Sequence, residues 1–288
     1  MKRLVPISTS ILYACLALAL GLVILMSSPS LSGFSVTPTI VSTQYLGNLP
    51  AINTVSRVPP TPSYNILFVV LDDWGVDGLD TPNLAVGTDL PHTPTLNSLA
   101  AQGVVFPNTW VTTVCCSSRA EFMSGQFPFR NGIGMILNSS NPGEFDLQSS
   151  VFTLPEAIKA GTSNRYKTIA IGKWHLSHDP NGPNVNGFDH YAGSLWNLGD
   201  LNPATNVYYN YPKTVNGVTA QHTVYATTDQ VNDAITQINA RNGEPFFMYL
   251  AFNAPHSPLH VPPAGLHYQG SLPNCSGTNK RKCWKADI

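Results

Sequence analysis

Residues Ile66 to Leu71, ILFVVL, form an unbroken apolar run that ends directly in Asp72 and Asp73. A run this short, with no polar alternation, has no solvated face, so it predicts a central strand of a parallel sheet covered on both sides. Parallel neighbours need crossover connections, and the rest of the chain supplies them. Lys167 to Gly172 (KTIAIG) and Phe246 to Phe252 (FFMYLAF) read as two further strands, and Val104 to Phe106 as a short one. Helices are expected at Pro94 to Gly103, which opens with Pro and ends in Gly, and at Thr153 to Gly161. Ser118 and Glu121, at capping-box spacing, open another that Gly125 stops. Val231, Ile235 and Ile238 recur at helical spacing. The expected fold class is α/β, a mostly parallel central sheet with helices on both faces. In such sheets ligands gather at the carboxyl ends of the strands.

Composition narrows the function classes. The formal net charge is -1, which gives no general attraction to nucleic acid or anionic lipid. Charged residues are only 11%, against 22 Gly and 24 Pro, so the chain is loop-rich with a surface carried by Ser, Thr, Asn and Gln. Residues 1–28 read as a cleaved signal peptide: Lys2 and Arg3, an apolar run from Ile11 to Met26, then Ser27, Ser28 and Ser30. An uncleaved anchor is the nearer alternative, because the run approaches bilayer-spanning length. Residues 29–63, rich in Ser, Thr, Pro and Val, read as a linker or extended arm. The expected localisation is therefore secreted or periplasmic. Cys275 and Cys283 lie in a polar stretch and are candidates for a disulfide in an oxidising compartment, although spacing alone does not fix their geometry.

Several residue groups carry chemistry. Asp72 and Asp73 repel each other unless a cation joins them, and Ca²⁺ or Mg²⁺ prefers such oxygens; solvated loop acids are the plain alternative. In CCSSRAEFMSG, Cys115 would lie just upstream of a helix capped by Ser118, facing free N–H groups, with Arg119 in the first turn reaching back. That places an anion site beside a potential nucleophile. Cys116 reads as a small buried hydrophobe. Lys173 and His175, in GKWHL, project to one face if the chain is extended there. His256 follows the third strand in a Pro-flanked loop, AFNAPHSPL. The other histidines have no comparable setting.

NILFVVLDDWG, HTPTLNSLAAQGVVFPNTW, CCSSRAEFMSGQFPFRNGIG, IAIGKWHL, GFDHY and PFFMYLAFNAPHSPL occur in this order. Together they resemble the N-terminal half of the formylglycine-dependent sulfatases, within the alkaline phosphatase-like superfamily, over roughly residues 64 to 262. The resemblance implies the following roles. Asp72 and Asp73 match ligands of a divalent cation, usually Ca²⁺, to which the side chain at Cys115 also turns. Cys115 matches the cysteine that a formylglycine-generating enzyme oxidises to the aldehyde whose hydrate attacks sulfur. Arg119, Lys173 and His175 match residues that hold the hydrate and the sulfate, and His256 matches a candidate general acid at the leaving oxygen. The implied substrate is a sulfated small molecule or glycan.

The chain departs from the family pattern in two places. Ser117 stands where the modification motif Cys-x-Pro-x-Arg has proline. The family's later Asp-Asn or Asp-His metal pair has no counterpart, since Asp189-His190 belongs to the GFDHY loop and follows no strand. Residues 64–288 are thus expected to be the N-terminal part of a sulfatase catalytic domain, truncated at the C-terminus. A phosphonate or phosphate ester hydrolase of the same superfamily, and a non-catalytic sulfatase-like remnant, are the alternatives.

Overall fold

The computed structural model describes residues 23–26, 64–81, 84–138, 143–200 and 207–288. Apart from 23–26, the expected signal peptide and linker lie outside the described residues. A seven-stranded sheet has the order β1-β2-β7-β3-β4-β5-β6. The strands are β1 (Val23–Met26), β2 (Asn65–Val70), β3 (Lys167–Gly172), β4 (His190–Gly193), β5 (Tyr211–Val215), β6 (Val218–His222) and β7 (Phe246–Ala251). β2, β7, β3 and β4 are mutually parallel, while at the margins β1 pairs antiparallel with β2, β5 with β4, and β6 with β5. The parallel centre is the one expected. The β5–β6 hairpin was not, although its two-residue turn is Asn216-Gly217, with φ of 43° and 85°. Asn-Gly suits such a turn because both central residues need positive φ.

Five helices matter here: α1 (Pro94–Gln102), α2 (Cys115–Ser124), α3 (Leu154–Gly161), α4 (Ala226–Asn239) and α5 (Lys280–Asp287). Phe68, Ala170, Phe247 and Tyr249 pack against Cys116, Ala120, Phe122 and Met123 of α2 and Leu154 and Ile158 of α3. Leu67, Val69, Ile169, Ile171, Met248 and Leu250 point the other way, toward Ala234 of α4. Alternate residues of each central strand therefore enter different cores, which is why these strands show no polar alternation. Thr153 and Glu156 form a reciprocal capping box at the start of α3. Among the described residues no helix is long and apolar enough to cross a membrane.

Two local expectations fail. Val104 to Phe106 is not a strand: no neighbour pairs with it, and Val104 is 73% exposed. Without a ladder partner, three apolar residues cannot hold an extended strand. Nor does Ser118 cap α2, which starts three residues earlier with Val114 as N-cap. Ser118 N–H donates to Val114 O at 3.1 Å, closing the first turn, and its hydroxyl donates to Thr112 O at 2.8 Å. Glu121 accepts from the Thr112 hydroxyl at 3.3 Å rather than capping.

Cys275 and Cys283 are disulfide-bonded, with Cα atoms 5.7 Å apart. The bridge ties α5 to the preceding loop. The basic residues of α5 are partly spent locally: Arg281 pairs with Asp77 at 2.6 Å and covers the Trp284 ring, and Lys285 pairs with Asp89.

Candidate active site

The register sets the site. Val70 and Gly172 both pair with Ala251, so β2, β7 and β3 end level with one another. Asp72, Lys173 and His256 leave that common edge. Gly172, with φ of 96°, makes the exit possible, because a Cβ there would strike the Ala251 carbonyl. Residue 115 arrives separately, as the first residue of α2.

The acidic pair divides. Asp72 is buried, and its carboxylate pairs with the Lys173 ammonium and, at 3.4 Å, with Arg119 Nη2. Asp73 has φ of 59° and a side chain 62% exposed, lying 3.6 Å from His256 Nε2. The left-handed residue turns the chain, so adjacent carboxylates point to different surroundings. Burial pushes the Asp72 carboxyl up, but Arg119, Lys173 and His256 outweigh it and hold it down at about 2.

Arg119 is fully buried and lies in the second turn of α2, not in the first turn where a Ser118 cap would place it. Its Nη1 donates to Lys173 O at 2.7 Å and to Tyr249 Oη at 3.1 Å. Its Nη2 makes only the ion pair to Asp72 and has no hydrogen-bond acceptor among the described residues. A buried guanidinium with an uncommitted donor is equipped to hold an anion.

Lys173 and His175 enter the site, but not by extended geometry. The strand stops at Gly172, and His175 has φ of 58°. Trp174, between them, is buried in the core. The Lys173 ammonium lies between Asp72 and the Asn197 side-chain oxygen. His175 Nε2 donates to Leu137 O at 2.7 Å, and its Nδ1 lies 3.3 Å from Cys115 Sγ. With its proton fixed on Nε2, Nδ1 presents a lone pair to the sulfur. The Cys115 thiol is drawn down by a hydrogen bond from Cys116, then by His175 and the Lys173 charge, against the opposing effect of burial.

His256 is partly buried, and its Nδ1 donates to Ser257 O at 2.7 Å. Nε2 is thereby left facing Asp73. Asp72, Cys115, Arg119, Lys173 and His175 thus form one connected cluster, and His256 adjoins it through Asp73. Asp189 sits at the other end of the sheet, held by Lys159 at 2.7 Å and by the Thr168 backbone.

Four partners had no sequence signal: Tyr249, Asn197, Leu137 and His178. The first three meet the site through hydrogen bonds across the fold, Tyr249 and Asn197 through one each and Leu137 through two. His178, bonded to Asp146 at 2.6 Å, packs on Trp196, whose ring also meets His175.

A hard divalent cation finds an incomplete donor set. Ca²⁺ takes six to eight oxygens, whereas Asp72 is paired with two side-chain cations and Asp73 is mostly in solvent. The described residues do not make such a site by themselves.

A family model described as Sulfatase matches residues 64–285. The chain is 31% identical over 229 residues to N-acetylgalactosamine-6-sulfatase of Homo sapiens, covering 72% of this chain and 42% of that protein. It is 29% identical over 222 residues to Arylsulfatase J of Mus musculus, covering 73% and 35%. The chain therefore spans well under half the length of these curated relatives. Among solved structures, Ps i-CgsB in complex with k-i-k-neocarrahexaose superposes with a TM-score of 0.62 at 25% identity, covering 78% of this chain and 51% of that one. A second, solved with its substrate D-glucosamine-2-N,6-O-disulfate, gives 0.56 at 25% identity, covering 71% and 37%.

Proposed function

Because the chain belongs to the sulfatase family, we propose that it carries the anion-binding and proton-transfer centre of a sulfuric ester hydrolase. The observation that carries this reading is the closure of Arg119, Lys173 and His175 around Cys115 at a helix start. A sulfate ester presents a tetrahedral anion. Cleaving it needs positive charge on the outer oxygens, an attacking oxygen and a proton for the leaving alkoxide. Arg119, with its uncommitted Nη2, and Lys173 supply the charge. A formylglycine made from Cys115 by the generating enzyme would supply the attacking oxygen. His175 holds its Nδ1 ready to exchange a proton at that side chain, because Leu137 fixes the other nitrogen. His256, partly open to solvent and held through Nδ1 by the Ser257 carbonyl, would protonate the departing oxygen from Nε2 in its imidazolium form.

The substrate class is a sulfated sugar or aryl ester. Relatives named for sugar sulfates and the neighbour solved with a disulfated glucosamine support that choice. The basic start and apolar run of residues 1–28 support action outside the cytoplasm, secreted or periplasmic.

The test joins mass analysis of the Cys115 peptide to turnover of an aryl sulfate and an aryl phosphonate. Aldehyde at residue 115 with sulfate preferred is the expected result. Faster phosphonate turnover would make the protein a phosphonate ester hydrolase. A thiol at residue 115 in protein from the native host, with no turnover, would reduce it to a sulfatase-like remnant.

A further inference from the structure

Cys116 takes no part in the chemistry above; it is fully buried in the apolar layer under α2, yet its sulfur stands beside Cys115 and His175. The ligating atoms of Cys115, Cys116 and His175 all lie within 4.8 Å of one another. We infer that, while residue 115 is still a cysteine, these three side chains form a binding site for a thiophilic divalent cation, zinc, with its fourth position open. Zinc is commonly held by two thiolates and one imidazole with a further place left for water. Tetrahedral bonds of about 2.3 Å to sulfur and 2.0 Å to nitrogen put ligand atoms roughly 3.5–3.8 Å apart. The Cys115–His175 separation, 3.3 Å, is a few tenths of an ångström short of that range, and the other pairs lie within 4.8 Å, so small side-chain rotations suffice to reach it.

A second observation is the support around the ligands. Leu137 holds two of them with its own backbone groups: its carbonyl accepts from His175 Nε2 at 2.7 Å, and its N–H donates to Cys116 Sγ at 3.2 Å. A histidine that donates its second nitrogen to a backbone carbonyl has its other lone pair aimed and fixed, which is the usual outer support of a metal-bound imidazole. Burial completes the set: Cys116 and His175 are closed off, and Cys115 leaves one side accessible. Two thiolates neutralise the ion's charge.

Binding releases the Cys116 thiol proton and any proton that the Cys115–His175 pair still holds, leaving two thiolates and a neutral imidazole on the ion. No electron is transferred. A calcium ion, which selects oxygen, does not compete for this site. The site itself does not depend on the hydrolase reading and survives its failure.

The experiment uses the full chain with Cys115 shown by mass to be a thiol. Titration with Co²⁺ is expected to give a thiolate-to-cobalt charge-transfer band that one equivalent of Zn²⁺ abolishes and excess Ca²⁺ leaves untouched. Cys116→Ser and His175→Gln are each expected to weaken Zn²⁺ binding more than about tenfold, measured against a chromophoric chelator. Absence of the band in the wild-type chain, or wild-type affinity in Cys116→Ser, overturns the proposal. Should a variant fail to fold, alkylation of wild-type Cys115 decides: Zn²⁺ must slow it and a chelator restore it, and a rate indifferent to Zn²⁺ refutes the site.

Discussion

His175 Nδ1 lies 3.3 Å from Cys115 Sγ, while the Nε2 of the same ring donates to the Leu137 carbonyl at 2.7 Å. The second bond decides what the first can be, because it leaves Nδ1 without a proton of its own and ready to take one from sulfur. The Cys116 hydrogen bond, this contact and the Lys173 charge draw the thiol down, so Cys115 persists as thiolate at neutral pH. Its alkylation by iodoacetamide, in metal-free buffer, is expected to vary little across neutral pH. In His175→Gln the rate should instead climb with pH toward the ordinary thiol range. A rate profile unchanged by the substitution would show that the ring does not act on the sulfur.

Asp72 makes acid stability measurable. Its folded pKa of about 2 lies below the ordinary 3.8, so the carboxylate stabilises the fold above the unfolded value and loses that contribution as pH falls through 3.8 toward 2. The shift corresponds to about 2 kcal/mol. Urea unfolding at stepped pH should show this acid limb, and Asp72→Asn should flatten it. The same variant strips Arg119 and Lys173 of their buried counter-ion, which is expected to cost about 3–5 kcal/mol at neutral pH.

Tyr249→Phe removes one acceptor from a fully buried guanidinium. The expected loss is about 1–3 kcal/mol in chemical denaturation, with the sheet otherwise intact. A neutral result would mean that the Lys173 carbonyl alone satisfies Arg119 Nη1.

His256→Ala separates a proton donor from a binding residue. If His256 protonates the leaving oxygen, the substitution should lower kcat by about 10²–10⁴-fold for a sulfated sugar alcohol. An aryl sulfate with an acidic phenol, which departs without help, should lose far less. Equal losses on both esters would remove His256 from the proton-donor role.

Much of this centre is legible from residue order. Three apolar runs without alternation had to be central parallel strands, and Asp72, Lys173 and His256 each follow one of them. Level strand ends then bring those residues to one edge, whatever the loops do. The start of α2 was harder to read: Ser118 and Glu121 have capping spacing, yet the helix begins at Cys115.

Local pattern thus determined the layered sheet and the edge at which polar residues gather, because burial on both faces leaves a signature within a few residues. Tertiary contact decided the rest. Which of Asp72 and Asp73 turns inward depends on one left-handed residue, and the inward course of Arg119 depends on Tyr249, 130 positions away. His175 takes its orientation from Leu137, and Lys173 lies against Asn197. The last three are hydrogen bonds between distant segments, and a lone polar partner leaves no periodicity for a sequence to display.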